Sequence, residues 1–446
     1  MRGSSGAGFD KRLRDQAPFI APPPLTARDR GRLTHMTKFL RALAALLFIV
    51  AAPAAAQEAV LSPAEALARD AGEYARLYAV PPDEALRRLL AQEESVAATD
   101  AIAARHRERL VGISVEHRPD YRITVLLAGD EPVADEVIAT GAMPVPVTYR
   151  VGAPATRGRL VEALRVHQAA IRAMLRRPPG LGVDPRTGAL VVLTNTGDVA
   201  ASDEDAFRRR VEALTGVPVS VRYADRIDAD ASVEGGARVV GVNPLDGRRY
   251  ACTTGFVVTD GAREGVVTAA HCPDALEHLD AARTPTPLDF VGQWGWSYQD
   301  VQLHLSGAPL RPYFFGDTAK TELRPVTGTR PRGSTRAGDL VCHRGETTGY
   351  SCAAVEFVDF APAGDLCGGP CAPSWVTVAG PTCRSGDSGA PVFVGATALG
   401  LVKGASYGPD RRCLFYYYMS TDYLPPGWRV VTGAPSARAR EEEQIG

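Results

Sequence analysis

Eight cysteines, all beyond residue 250, constrain this 446-residue chain more than any other feature. They are Cys252, Cys272, Cys342, Cys352, Cys367, Cys371, Cys383 and Cys413. An even set confined to one part of a chain reads as a disulfide framework, provided the protein is exported. Zinc is the competing use. The spacings are wide or irregular, without paired C-x-x-C knuckles or an H-x-x-x-H, so the disulfide reading is the stronger. Hydrophobic residues make up 45% and charged residues 23%, an ordinary globular balance that excludes disorder, collagen or coiled coil for the whole. A formal net charge of −1 gives no global attraction to nucleic acid or to an anionic membrane.

Export has its own signal. Lys38 and Arg41 form a short positive region, Leu43 to Ala52 is an unbroken apolar run, and Ala54-Ala55-Ala56 offers a cleavage site before Gln57. The run is too short for a spanning helix, which needs about 20 apolar residues. Residues 36–56 are therefore expected to be a signal peptide. Residues 1–35, which precede its Met36, are expected to be an over-extended reading frame or a disordered leader.

Residues 57–230 contain no cysteine and read as a compact α+β region. Ser62 and Pro63 form a helix start, and Pro81-Pro82-Asp83 forms another. A long polar helix is expected over roughly 94–110, then paired strands over 110–115 and 121–126. A second α+β unit follows, with helices over 157–175 and 203–215 and strands over 188–194 and 217–223. His106, His117 and His167 read as surface or packing residues. The small, polar stretch from Arg226 to Gly236 reads as a linker and cleavage site. From about 231 to 433 the runs shorten and Gly, Pro and Thr become frequent, the texture of an all-β barrel or sandwich. The charged tail 434–446 carries no catalytic signal.

Three stretches of this β region converge on one chemistry. Gly265 to Cys272 is an apolar strand that delivers His271 at its end, with Cys252 one hairpin upstream as the natural partner of Cys272. Trp296 to Leu303 places Asp300 at the start of an alternating strand. Cys383 to Phe393 sets Ser388 in a Gly-flanked turn before another strand. Serine is a weak nucleophile at neutral pH and needs a base. Imidazole can take and return its proton, and a carboxylate fixes the imidazole tautomer. Glycines let the backbone turn sharply and aim amide N–H groups at a developing oxyanion. A lone His before Cys is usually structural and a lone G-D-S-G is a frequent loop. Their ordered conjunction predicts a serine peptidase. The order His, Asp, Ser is that of the chymotrypsin-like arrangement. Asp280 and Asp289 compete with Asp300 for the acid's place, but Asp300 alone opens a strand.

These motifs resemble those of bacterial chymotrypsin-like secreted proteases of the α-lytic protease and streptogrisin group. The likeness extends from about residue 57 to 433. It includes the hairpin Val341 to Cys352 and the closing stretch Trp428 to Gly433, and it takes in the pro-segment stretches Asp83 to Leu89 and Arg109 to His117. The resemblance implies two six-stranded antiparallel β-barrels with the site between them. His271 would be the base, Asp300 the orienting acid and Ser388 the nucleophile, with the Gly386 and Ser388 N–H groups as oxyanion hole. It implies disulfides 252–272, 342–352 and 383–413, leaving 367–371. It also implies that residues 57–230 are a pro-region of two α+β subunits that helps the enzyme fold and then inhibits it.

Several positions depart from that pattern. Ala390 replaces the usual second Gly after the nucleophile, and the turn from Cys383 to Ser388 is one residue shorter. Lys403, Gly404 and Ala405 fall on the strand expected to bind substrate. Lys403 stands where a small polar residue is usual, either selecting an acidic side chain or pointing to solvent. His343 or Arg344 is expected to pair with Asp387. No Ile-Val-Gly-Gly terminus lies near Gly235-Gly236. The expected partners are protein or peptide substrates and the chain's own pro-segment, for a monomer with no nucleic acid, no stable membrane insertion, no metal and no cofactor. The competing readings are a catalytically inactive, protease-like binding protein and a latent enzyme that keeps its pro-segment.

Overall fold

The apolar runs after residue 237 close into two antiparallel barrels. The computed structural model describes residues 59–433, apart from 201–202, 225, 229–236, 245–246, 280–283, 308–309, 364–365, 381 and 409–411. The expected leader and signal peptide, most of the expected linker and the charged stretch 434–446 lie outside the described residues.

The first barrel contains Arg238–Val242, Glu264–Thr268, Leu276–Leu279, Pro285–Trp294 and Val301–Ser306. Its sixth strand is a bent run formed by Arg249–Thr253 and Val257–Thr259. The first half pairs with Arg238–Val242 and the second with Glu264–Thr268, so the ring closes without a free edge. The second barrel contains Leu340–Gly345, Gly349–Ala361, Trp375–Ala379, Pro391–Val394, Thr397–Tyr407 and Cys413–Ser420. It closes where Leu340–Gly345 pairs with both Gly349–Ala361 and Pro391–Val394. The fold class expected from the sequence is therefore the one observed. Four disulfides join Cys252 to Cys272, Cys342 to Cys352, Cys367 to Cys371 and Cys383 to Cys413.

The preceding region is α+β. Helix α1 (Pro63–Tyr78) starts at a capping box between Ser62 and Glu65. Helix α2 (Pro82–Glu94) follows, then α3 (Val96–Arg105). The helix expected over 94–110 is thus shorter at both ends. The chain breaks at Ser95, and Arg109 leaves the helical path to donate to the Ala128 carbonyl. Leu110–Glu116 pairs with Arg122–Ala128, which runs parallel to Pro144–Ala153. Helices α4 (Arg157–Ala173) and α5 (Glu204–Thr215) pack with Gly180–Asp184, Ala189–Thr194 and Val219–Tyr223.

This second sheet does not stop at the expected domain boundary. Gly180–Asp184 pairs with Gly349–Ala361 through Phe360–Gly182 and Ala361–Leu181, extending the second barrel's hydrogen-bonding network. Tyr74 and Leu89 share a buried cluster with Leu340 and Phe393. Asp70 on α1 is fully buried. It accepts from Arg324 Nη1 at 2.8 Å, Tyr350 Oη at 2.6 Å and the Gly395 N–H at 2.6 Å. Gln92 and the Leu340 backbone exchange two hydrogen bonds. His117 is buried, with Nε2–H donating to the Gly338 carbonyl at 2.6 Å and Nδ1 accepting from Tyr74 Oη at 2.7 Å. It is a packing residue of the contact between the two regions. Accordingly Glu58–Gly446 form one compact unit. Among the described residues no helix is long and apolar enough to cross a membrane.

Two outcomes follow from this contact. Asp70→Ala leaves Arg324 buried without its carboxylate and is expected to cost about 3–5 kcal/mol, read by denaturant unfolding of the full chain. Burial pushes His117, His304 and His343 down to about 4 from the ordinary 6.5. The unfolded chain then binds protons between pH 6.5 and 4 that the folded chain does not. Stability is therefore present above pH 6.5 and lost as pH falls toward 4. His117→Gln is expected to flatten part of that slope in thermal melts.

Candidate active site

Each barrel brings its chemistry to a strand end. His271 follows Glu264–Thr268 and Asp300 precedes Val301–Ser306, both in the first barrel, while Ser388 precedes Pro391–Val394 in the second. The cleft between the barrels joins them. His271 Nδ1 lies 2.9 Å from Asp300 Oδ2, and His271 Nε2 lies 2.8 Å from Ser388 Oγ. A carboxylate can only accept, so Nδ1 carries the proton. The Nε2 lone pair then accepts from the serine hydroxyl. Asp289 is exposed on its strand, and Asp280 lies outside the described residues.

Asp300 is fully buried. Burial alone would raise its pKa, but the facing charges of His271 and Lys403 hold it below the ordinary carboxylate value. Its N–H points at Met419 Sδ, 3.2 Å away. The loop that delivers it leans on the small Cys367–Cys371 loop. The Ser297 N–H donates to the Cys367 carbonyl at 3.2 Å, the Ala372 N–H donates to the Ser297 carbonyl at 2.9 Å, and the Trp296 ring covers Gly368. The short disulfide loop thus buttresses the acid's loop across the two barrels.

The turn at Ser388 is also tied to the first barrel. The Thr253 N–H donates to the Ser388 carbonyl at 2.8 Å, and Thr253 Oγ1 donates to the Gly386 carbonyl at 3.1 Å. Gly386 has φ +122° and Gly389 φ +85°, a region that favours glycine. A Cβ on Gly389 would lie 2.3 Å from the Thr253 carbonyl oxygen. Asp387 is buried beneath the turn. Burial pushes its pKa up, against donors from Thr347, Thr348 and the Arg384 N–H. The expected partner His343 reaches it through the Thr348 hydroxyl rather than directly. The Arg344 guanidinium lies on the Asp317 and Thr318 carbonyls and on Glu346.

A narrow crevice of about 10 Å³, room for about one water, lies beside Ser388, lined by His343, Arg384, Val402, Gly404, Ala405 and Tyr416 among others. Gly404 and Ala405 line it as the sequence suggests, but Lys403 does not. Its side chain neither enters the crevice nor reaches solvent, and its ammonium lies 3.4 Å from Asp300 Oδ2. A further departure concerns the expected linker. Arg226–Asp228 is a strand, antiparallel to Thr397–Tyr407 with Asp228 opposite Ala405 and Arg226 opposite Tyr407. Residues 229–236 lie outside the described residues. Thr253, Met419 and the Cys367–Cys371 buttress had no motif to announce them.

No family model matches the chain. Among solved structures it is similar to protease A of Thermobifida fusca at 21% identity and a TM-score of 0.36, covering 46% of this chain and 100% of that one. It is also similar to the Nocardiopsis protease NAPase, at 19% identity and a TM-score of 0.35 over 45% and 98%. A Cellulomonas bogoriensis chymotrypsin matches at 20% identity and a TM-score of 0.33 over 45% and 100%. All three neighbours are proteases.

Gly389→Ala is expected to destabilise the chain by about 2 kcal/mol or more, since both its φ and the Thr253 carbonyl oppose a side chain. Equilibrium unfolding against Gly307→Ala, at a site with nothing within 4 Å, provides the check.

Proposed function

We propose that this protein is a secreted serine endopeptidase made as a pre-pro-enzyme. The observation that carries the reading is the hydrogen-bonded chain Asp300–His271–Ser388, drawn from both barrels at 2.9 and 2.8 Å. Ser388 Oγ attacks a peptide carbonyl while His271 Nε2 takes its proton. The oxyanion forms against the N–H groups of Gly386 and Ser388. His271 then gives its proton to the leaving amine, and an acyl-enzyme remains on Ser388. Water, deprotonated by His271, attacks that ester and releases the acid. Asp300 keeps the imidazole in its reactive tautomer throughout. No step calls on a metal or organic cofactor.

Substrate backbone lies along Gly404 and Ala405, beside Ser388. The strand Arg226–Asp228 supports a pro-segment that inhibits, because it occupies the edge of Thr397–Tyr407 as an extended peptide would. The shared core and the buried Asp70–Arg324 contact support its second role, as a folding partner of the second barrel. Signal-peptide removal at Ala56 and cutting between residues 228 and 236 complete the processing.

Expression from Met36 into an oxidising compartment, followed by intact mass and N-terminal sequencing, tests this reading. The wild type is expected to yield a fragment starting near 228–236, and Ser388→Ala to remain at the size of residues 57–446. Loss of more than 10³-fold of casein hydrolysis is expected for Ser388→Ala once the mutant is cut in trans. A wild type that is neither cut nor hydrolytic points instead to a binding protein.

A further inference from the structure

A lysine reaches the buried end of the site. Lys403 lies within Thr397–Tyr407, a strand that pairs with Cys413–Ser420. The register shifts between Val402, opposite Tyr418, and Gly404, opposite Tyr417, so the extra residue of a β-bulge is Lys403 itself. A bulge re-aims the side chain of its extra residue. Here the ammonium turns into the cleft between the barrels, with its side chain only 4% exposed. It lies over the Trp375 ring, 5.1 Å from the centroid, and 3.4 Å from Asp300 Oδ2.

The same oxygen, Oδ2, faces both Lys403 and His271. The two distances, 3.4 and 2.9 Å end to end, put Nζ within 6.3 Å of His271 Nδ1. The charged groups facing the Asp300 carboxylate are His271 and Lys403, while Met419 Sδ faces the Asp300 N–H and the Trp375 ring lies under the ammonium. Tyr417 packs against Trp375 in a T-shaped pair, ring centroids 6.4 Å apart. The carboxylate is therefore shared between two cationic partners when His271 is protonated, and held by one when it is neutral.

Building on the triad reading above, we propose that Lys403 is a positioning residue of that triad, a bulge-aimed cation that fixes the Asp300 carboxylate at the oxygen it shares with His271. A positive charge beside the carboxylate opposes a second positive charge on the imidazole, an effect that the pH dependence of the site reads. At the other end of the cycle the same charge favours release of the proton to the leaving amine. The lysine thus extends the working range toward acid instead of selecting the substrate.

The test is the pH dependence of covalent labelling by a fluorophosphonate, which needs no knowledge of the peptide substrate. It is run on the secreted product of full-chain expression. In Lys403→Met, which keeps the length of the side chain, the acid limb of the labelling rate is expected to move up by about one to two pH units, the effect of a unit charge about 6 Å away at an effective dielectric near 20. Lys403→Arg, which keeps the charge, is expected to hold the limb within about half a unit of wild type. Labelling that slows equally at every pH in Lys403→Met, with the limb unmoved, makes Lys403 a packing residue and overturns the proposal. Should Lys403→Met not fold, Lys403→Arg decides: a limb displaced by a full unit despite the retained charge overturns it equally. A wild type that is not labelled at any pH, or is labelled equally as Ser388→Ala, fails the triad reading itself and takes this proposal with it. A labelled wild type whose limb is unmoved in Lys403→Met fails this proposal alone.

Discussion

A guanidinium with no exposed surface needs its counter-charge in place before the surrounding chain can settle. Arg324 is such a group, and its carboxylate, Asp70, belongs to a helix some 250 residues earlier in sequence. Tyr350, in the second barrel's hairpin, and the Gly395 amide, in the turn after Pro391–Val394, use the same carboxylate. Breaking a buried pair leaves an uncompensated charge at a cost of several kcal/mol, whereas keeping it intact adds little. The contact therefore specifies more than it stabilises. It ties the docking of α1 to a completed hairpin and a completed turn in the barrel that carries Ser388. The exchange between Gln92 and Leu340 does the same at the first strand of that barrel. The contact between the two halves consists of groups that are each incomplete without the other.

The site inherits this dependence on long-range assembly. Histidine and aspartate come from one barrel, and serine and lysine come from the other. What makes the geometry possible is local: an apolar strand ending at His271, a strand beginning at Asp300 and a glycine-framed turn at Ser388. What makes it accurate is not local. Thr253 reaches across to hold the carbonyls of Gly386 and Ser388, and the Cys367–Cys371 loop reaches across to hold Ser297.

The sequence was most legible where one residue type does one job. Ser62 and Pro63 start a helix because a hydroxyl can cap an N–H and proline lacks one. His271, Asp300 and Ser388 could be ranked because each sits at a strand end, where backbone direction is set by neighbours in sequence. The cysteines announced a bonded, all-β half. Legibility failed where the outcome depends on register or on a distant partner. A bulge in Thr397–Tyr407 is invisible in the string Leu401 to Ser406, and without it Lys403 points elsewhere. The small, polar residues from Arg226 to Gly236 look like a tether, yet Arg226–Asp228 finds a strand edge. The pattern over 94–110 looks continuously helical, but the carbonyls of Ala128, Gly129 and Glu131 hold Arg109 outside the helix. The merging of Gly180–Asp184 with Gly349–Ala361 is a matter of tertiary pairing, for which Phe360 and Gly182 carry no local mark.

The hydrogen bonds from Thr253 have a consequence for how such a molecule fails. They connect the Ser388 turn to the opposite barrel at two points, so a small separation of the barrels displaces Ser388 from His271 while each closed ring remains intact. On the proposed mechanism, a rim-to-rim gap of about 1 Å would slow the proton transfer on the order of 100-fold before either hydrophobic interior sees water. The proposed chemistry would in this sense be a gauge of interdomain spacing, more sensitive to the seam than to the rings it joins.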